Sequence, residues 1–491
     1  MRTITHWING EAVSGEDTID VLNPATDTAV ATVPMADPAT VDRALQTAAA
    51  AAPAWAATTL SRRVQPLYRL RDLLIEHRSE LAALISEEHG KTVDDAAGEV
   101  GRAVEAVELA CGGPALSHGS TSLQTGPGIN TKSVQHPLGV VVGITPFNFP
   151  IMIGLMQGAV AIAAGNAFVW KPSEQAPGVS IRVAELFAEA GLPAGIFTVI
   201  HGRQEASEAL IDSPISQAVA FVGSTPVAHS VYKRASEAGI RAQALGGAKN
   251  HMIVMPDADP EIVADQLTSS AFGAAGQRCM AISVAVVVGP DTTALLDKLK
   301  PRAEAVKLGA GSTAGTEVGP VVTRAAQERI RRVVADSVAG GATAVVDRST
   351  EEVEGFENGY FIGPTILTDV TTDSPAYCEE IFGPVLVVLR VDTLDEALDL
   401  VENHRYGNGA SIFTQSGAAA DEFERRISAG MVGVNVAIPV PVATYAVQGW
   451  KDSAFGQSGL NNASWDFYTR PKFVTSRWDS VAGQDFGFRP N

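Results

Sequence analysis

The sequence predicts an α/β protein with two doubly wound, mostly parallel sheets and a small β arm. Three features point to it. Short β-branched runs alternate with helical patterns between residues 139 and 238, a second alternation starts at residue 252, and segments 120–139 and 463–491 fit neither series. In the first series Gly139–Ile144 reads as a strand, Gly154–Ala164 as a helix, Ala167–Trp170 as a strand and Val179–Ala190 as a helix. Phe197–Ile200 and Ala218–Val222 follow as strands and Pro226–Ala238 as a helix. In the second series Met252–Met255, Ser283–Val288, Val385–Val391 and Ala410–Phe413 read as strands, with helices over Glu261–Phe272 and Thr293–Val306. The small residues of Leu245-Gly246-Gly247-Ala248 mark the crossing between the two. The expected division is 1–119 with 140–244, then 245–440, with 120–139 and 463–491 as an arm. Val134-Gln135-His136-Pro137 and Trp465–Trp478 are expected to pair elsewhere, another subunit being one option. The Ala-rich stretch Ala48–Ala57 suits a helix that Pro53 must break or start.

Composition narrows the function classes. A chain of 491 residues, 46% hydrophobic, can bury more than one large core. With 36 basic against 55 acidic residues the net charge is −19, which argues against a nucleic-acid or anionic-membrane partner. Three cysteines, Cys111, Cys279 and Cys378, cannot form a disulfide framework and fit a reducing compartment. The opening MRTITHWING has no apolar secretory core, so a cytoplasmic protein is expected. Leu138–Trp170 is uncharged, but Pro146, Asn148, Pro150, Gln157 and Asn166 divide it into strand, loop, buried helix and strand rather than one membrane span. No metal site is expected.

Several segments carry chemistry. Gly309-Ala310-Gly311-Ser312-Thr313-Ala314 imitates a dinucleotide loop but follows a helix, so it reads as a surface loop. Gly90-Lys91-Thr92 lacks the upstream glycine of a P-loop. Val222-Gly223-Ser224-Thr225-Pro226 ends a strand and opens a helix, where free N–H groups bind phosphate in a doubly wound sheet; many α/β turns look the same. Gly276-Gln277-Arg278-Cys279-Met280 sets a cysteine beside an arginine, whose charge would lower the thiol pKa; a buried structural cysteine is the other reading, and the one taken for Cys111. Asn148, in Thr145-Pro146-Phe147-Asn148-Phe149-Pro150, is either a turn former or an amide donor to an oxyanion. Lys171-Pro172-Ser173-Glu174 is either an exposed turn or a pair of groups for ribose hydroxyls.

Together with Phe221-Val222-Gly223-Ser224 and Glu380-Ile381-Phe382-Gly383-Pro384, these segments resemble, in order and spacing, the aldehyde dehydrogenase superfamily, from about Trp7 to Trp478. Gly98-Glu99-Val100-Gly101-Arg102, Gly247-Ala248-Lys249-Asn250-His251 and Gly433–Pro441 resemble its CoA-acylating methylmalonate- and malonate-semialdehyde dehydrogenases. The resemblance implies an aldehyde dehydrogenase-like fold with NAD-binding (1–119, 140–244), catalytic and arm parts, a small aldehyde substrate, and a homodimer or homotetramer. It implies Cys279 as the nucleophile, with the Asn148 amide and the Cys279 N–H holding the oxyanion; one such donor is worth about 3–4 kcal/mol of barrier. Thr145, Pro146, Phe147, Lys171, Glu174, Gly223, Ser224, Glu380 and Phe382 would hold NAD, the carboxylate of Glu174 disfavouring the 2′-phosphate of NADP. Arg102 and Arg278 would bind the substrate carboxylate, the other reading of Arg102 being a helix-face charge paired with Glu99 or Glu105.

Hydrolytic members carry a glutamate before Leu-Gly-Gly as the base that activates water; here that position is Ala244. Coenzyme A is therefore expected to remove the acyl group. The alternative is a hydrolytic enzyme giving the free acid, with another carboxylate such as Glu379 as base. The segment Val442–Val447 and the missing arginine within Asp452–Gly456 depart from the subfamily pattern, which leaves the preferred semialdehyde open.

Overall fold

The computed structural model describes residues 1–457 and 459–478. Its first sheet has five parallel strands in the order Arg241–Leu245, Ser216–Val222, Val140–Ile144, Ala167–Lys171 and Phe197–Val199. Antiparallel strands complete the edges: Ala454–Gly456 beside Arg241–Leu245, and the hairpin His6–Ile8 with Glu11–Val13 beside Phe197–Val199. Val140–Ile144 and Ala167–Lys171 are buried at every position, as strands covered on both faces must be. The Met152–Ala163 helix lies directly on them. A Cβ on Gly154 would fall 2.1 Å from the Trp170 ring and one on Gly158 2.8 Å from Phe168, so only glycine lets this helix approach.

The second sheet has six parallel strands: Thr365–Thr368, Val385–Val391, Ile282–Val288, Asn250–Val254, Gly409–Phe413 and Met431–Val434. Thr343–Asp347 adds an antiparallel edge. Each sheet has its own apolar core, and the chain passes between them after Leu245 and before Asn250. The Thr469–Arg477 strand pairs along its length with Ile129–Pro137, and Thr121–Gly126 completes that three-stranded arm. The two arm segments thus pair with each other within the chain, while Trp465, Phe467 and Tyr468 are buried in the first core. Residues 479–491 of the expected arm lie outside the described residues.

Two elements differ from expectation. Pro53 neither breaks nor starts a helix but sits inside Pro38–Ala57. It forfeits one backbone hydrogen bond within a turn of the end, while Ala44, Ala48, Ala52 and Trp55 are buried and the Trp55 indole donates to the Ile162 carbonyl at 2.9 Å. The Glu261–Phe272 helix is α-helical only over Pro260–Leu267; Thr268–Phe272 widens into a π turn. Among the described residues no helix is long and apolar enough to cross a membrane.

Candidate active site

Pairing fixes where the loops emerge. Ile144 is opposite Lys171 and Phe221, and Val222 is opposite Leu245. The loops starting at Thr145, Pro172, Gly223 and Gly246 therefore leave the first sheet at one end, its carboxyl end. In the second sheet Asn250 begins a strand, Cys279 precedes Ile282–Val288, and Glu380–Phe382 precede Val385–Val391, so these lie at its amino end. The two ends face each other: the Asn148 amide donates to the Gln277 carbonyl at 3.1 Å, and a Cβ on Gly247 would fall 2.4 Å from Glu380 Oε2.

Cys279 is delivered by a sharp reversal. Ala274, Ala275 and Gly276 are all left-handed, with φ of 51°, 54° and 69°. Two alanines in that region store about 1–2 kcal/mol each. A Cβ on Gly276 would lie 2.2 Å from the Gly383 carbonyl oxygen, so glycine is required where the two loops touch. The Cys279 carbonyl then accepts from the Asn250 amide at 2.8 Å and the Asn408 amide at 3.0 Å.

The expectation that Arg278 acidifies the thiol is corrected. Burial first, and the carboxylate of Glu380 second, push the Cys279 thiol up to about 11, while the backbone N–H groups of Cys279 and Met280 oppose them. Adjacency in sequence does not bring the charge to the sulfur, because the Arg278 guanidinium turns to Asp95 at 2.6 Å. Arg102 pairs with Glu105 and donates to the Pro441 carbonyl at 2.7 Å; Glu99, the other partner considered, faces Lys91 instead. Arg102 and Arg278 nonetheless meet as walls of one cavity of about 190 Å³ that holds Cys279, Phe149 and Met152, and among the described residues no carboxylate lines it. Val447, in the segment that departs from the subfamily, also lines it. A larger cleft of about 910 Å³ shares Arg102, Phe149, Met152 and Arg278 as walls.

Glu380 lines a second, small pocket together with Cys279, Phe382 and Ala248. Burial raises its carboxyl to about 7, against the Ala248 N–H and the nearby charges of Lys249 and Arg329. Glu379 is exposed and absent from the lining of either Cys279 cavity. Ala244 is fully buried mid-strand, opposite Phe221 and Phe455.

The remaining residues suit a dinucleotide. Ser224 caps the Thr225–Glu237 helix without closing its first N–H groups by its own side chain, leaving donors for a phosphate. Lys171 Nζ donates to the Pro172 and Gly202 carbonyls at 2.9 Å each and lies 3.8 Å from Glu174, which sets ammonium and carboxylate side by side at a strand end. Phe147 meets Phe382 edge to face at 5.9 Å, and Phe382 is held left-handed at φ 53°. Thr145 is turned inward, its hydroxyl accepting from the Trp170 indole at 2.9 Å. Lys91 and Glu99, which the sequence placed only in a rejected P-loop pattern and in a family motif or beside Arg102, form a buried pair at 2.8 Å beneath the Asn148 loop. The available signal was an acidic residue on the apolar stripe of Ala96, Val100 and Ala103.

The sequence pattern of the aldehyde dehydrogenase family matches residues 7–474. A malonate-semialdehyde dehydrogenase of Pseudomonas aeruginosa is 48% identical over 99% of this chain and 98% of its own. A Drosophila melanogaster relative, named as an acylating, mitochondrial methylmalonate-semialdehyde/malonate-semialdehyde dehydrogenase, is 43% identical over 96% of this chain and 91% of its own. Among solved structures, a protein of Sinorhizobium meliloti 1021 complexed with NAD superposes with a TM-score of 0.97 at 47% identity, covering 98% of this chain and 99% of that one. A methylmalonate-semialdehyde dehydrogenase from Oceanimonas doudoroffii gives 0.96 at 46% identity, covering 98% and 99%.

Proposed function

The chain belongs to the aldehyde dehydrogenase family, and from that premise we propose that it oxidises malonate or methylmalonate semialdehyde with NAD and passes the acyl group to coenzyme A. The observation that carries this reading is the cavity that Arg102 and Arg278 line together with Cys279, and that no carboxylate lines among the described residues. Two cations orient the acid end of a short semialdehyde. On that side no described carboxylate is placed to activate water, and Glu380 meets Cys279 only from the neighbouring pocket, which favours a thiol as the acyl acceptor.

The chain's residues divide the work as follows. The Cys279 sulfur adds to the aldehyde carbon, and the Asn148 amide with the Cys279 N–H stabilises the oxyanion. Thr145, Pro146, Phe147, Lys171, Glu174, Gly223, Ser224, Glu380 and Phe382 would hold NAD, which would supply the acceptor for the hydrogen leaving that carbon as hydride. Of these, Thr145 is buried, its hydroxyl accepting from the Trp170 indole. A thioester remains on Cys279. The thiolate of coenzyme A attacks its carbonyl, the Cys279 sulfur leaves, and the carboxylate β to that carbonyl departs as CO2 with a proton taking its place, giving acetyl-CoA or propionyl-CoA. Burial and the Glu380 carboxylate hold the Cys279 thiol up, so its proton must be removed for the sulfur to attack. Residues 1–119 with 140–244 serve as the cofactor unit and 245–440 as the catalytic unit. The arm, with Leu123 and Phe473 each 72% exposed, joins subunits into a dimer or tetramer in the cytoplasm.

The test compares malonate semialdehyde with propanal, which lacks the acid group, in wild type and in Arg102→Ala and Arg278→Ala. The expected result is a KM for the semialdehyde raised about 10- to 100-fold, from the loss of a charge-assisted contact worth about 1.5–3 kcal/mol, with propanal turnover changed less than about threefold. Equal losses on both aldehydes would refute the carboxylate assignment.

A further inference from the structure

We propose that Lys91 and Glu99 are positioning residues for the reaction, acting through the Asn148 loop; the proposal rests on the role given to Asn148 above. Lys91 occupies the turn between the Arg78–His89 and Val93–Cys111 helices, and Glu99 lies in the second of these. Both side chains are buried, 1% and 0% exposed. Every donor of the ammonium has a target: Glu99 Oε2 at 2.8 Å, the Asn148 carbonyl at 2.6 Å, and the face of Phe149, whose centroid is 4.4 Å away. The other oxygen of Glu99 accepts from the Ile151 N–H at 2.9 Å and the Met152 N–H at 3.2 Å. It thereby caps the Met152–Ala163 helix, for which no side-chain cap comes from its own N-cap residue.

The pair grips the backbone on both sides of Phe149-Pro150, and Asn148 stands at one end of that grip. From there the Asn148 amide reaches Gln277, two residues before Cys279. The turn that carries Lys91 is itself clamped by the loop that imitates a dinucleotide motif. A Cβ on Gly311 would fall 2.1 Å from the Lys91 carbonyl oxygen, the Ser86 hydroxyl donates to that same oxygen at 2.7 Å, and the Val93 N–H donates to the Gly311 carbonyl at 3.1 Å. A turn anchored in this way passes its rigidity through one ion pair to the oxyanion donor. An ordinary structural ion pair would stabilise the fold and leave kcat alone; a positioning pair lowers kcat even in a fully folded protein.

The experiment separates these outcomes. The double variant Lys91→Met/Glu99→Gln removes both buried charges together, so neither is left uncompensated and the fold survives. Thermal melting confirms that before kinetics. kcat and KM are measured for wild type, this double variant, Asn148→Ala and the triple variant, with whichever aldehyde wild type oxidises. The double variant is expected to lose about 10- to 100-fold in kcat, as a displacement near 1 Å does, with KM within about threefold. Asn148→Ala is expected to lose about 100- to 1000-fold, and the triple variant to match it within about threefold, because the pair acts only through Asn148. A folded double variant with wild-type kcat overturns the proposal, as does a triple variant whose losses multiply. Failure of wild type on the semialdehydes counts against the substrate reading alone, since the ratios among the four proteins are read on any aldehyde that turns over.

Discussion

The two loops that flank Cys279 are each held by a buried lysine, yet the two lysines are balanced differently. Beneath the Asn148 loop, Lys91 holds a carbonyl with a carboxylate in direct contact, Glu99 at 2.8 Å. Beneath the Glu380–Phe382 loop, Lys249 donates to the Ala376 and Glu379 carbonyls at 2.7 and 2.8 Å, and the Glu380 carboxylate acts on it only through space. Burial drives Lys249 down to about 7, and burial drives Glu380 up to about 7. The first loop is therefore fixed by a compensated pair. The second rests on two groups whose charged forms burial disfavours, Lys249 being pushed down and Glu380 up. The comparison teaches that one anchoring device gives either a rigid support or a titratable one, depending on where the counter-charge sits.

Breaking the pairs one side at a time gives the largest contrast. Lys91→Met leaves Glu99 buried alone and is expected to cost about 3–5 kcal/mol in urea unfolding. Lys249→Met leaves two carbonyls without a donor and is expected to cost about 1–3 kcal/mol. The reverse order would undo the comparison. Stability against pH sharpens it. Glu380 has a raised pKa, so the stability it confers is present at low pH and lost as pH rises from about 4.5 towards 7. Lys249 has a lowered pKa, so its contribution is present above about 10.5 and lost as pH falls towards 7. The pair predicts a local minimum near pH 7, and Lys249→Met is expected to flatten the rise above it in a urea series. The smallest effect concerns the thiol. Glu380→Gln removes the charge that opposes the Cys279 thiolate, so alkylation by iodoacetamide at pH 8 is expected to quicken about threefold to tenfold. An unchanged rate would show that burial alone holds the thiol up.

Much of this was legible in the sequence where one chain segment carries both pattern and chemistry. The strand Val140–Ile144 and the loop after it, Lys171 at a strand end, and the Val222–Pro226 turn are local features with local signals. Thr365–Thr368, Met431–Val434 and the Ala454–Gly456 edge escaped because short strands take their identity from neighbours far along the chain. The same limit hid Lys91, whose carbonyl partner is 57 residues away and whose carboxylate lies along the next helix. It also misled the reading of Arg278: adjacency to Cys279 is visible in sequence, while Asp95, 183 residues distant, decides where the charge goes.

The central claim is that Cys279 hands its acyl group to a thiol rather than to water. NADH formation by the purified protein with malonate or methylmalonate semialdehyde, with and without coenzyme A, tests it directly. The account predicts turnover that requires coenzyme A and an acyl-CoA product that accumulates with NADH. Equal NADH formation without coenzyme A, with free acid as the product, would contradict it and point to Glu380, the carboxylate beside Cys279, as the base.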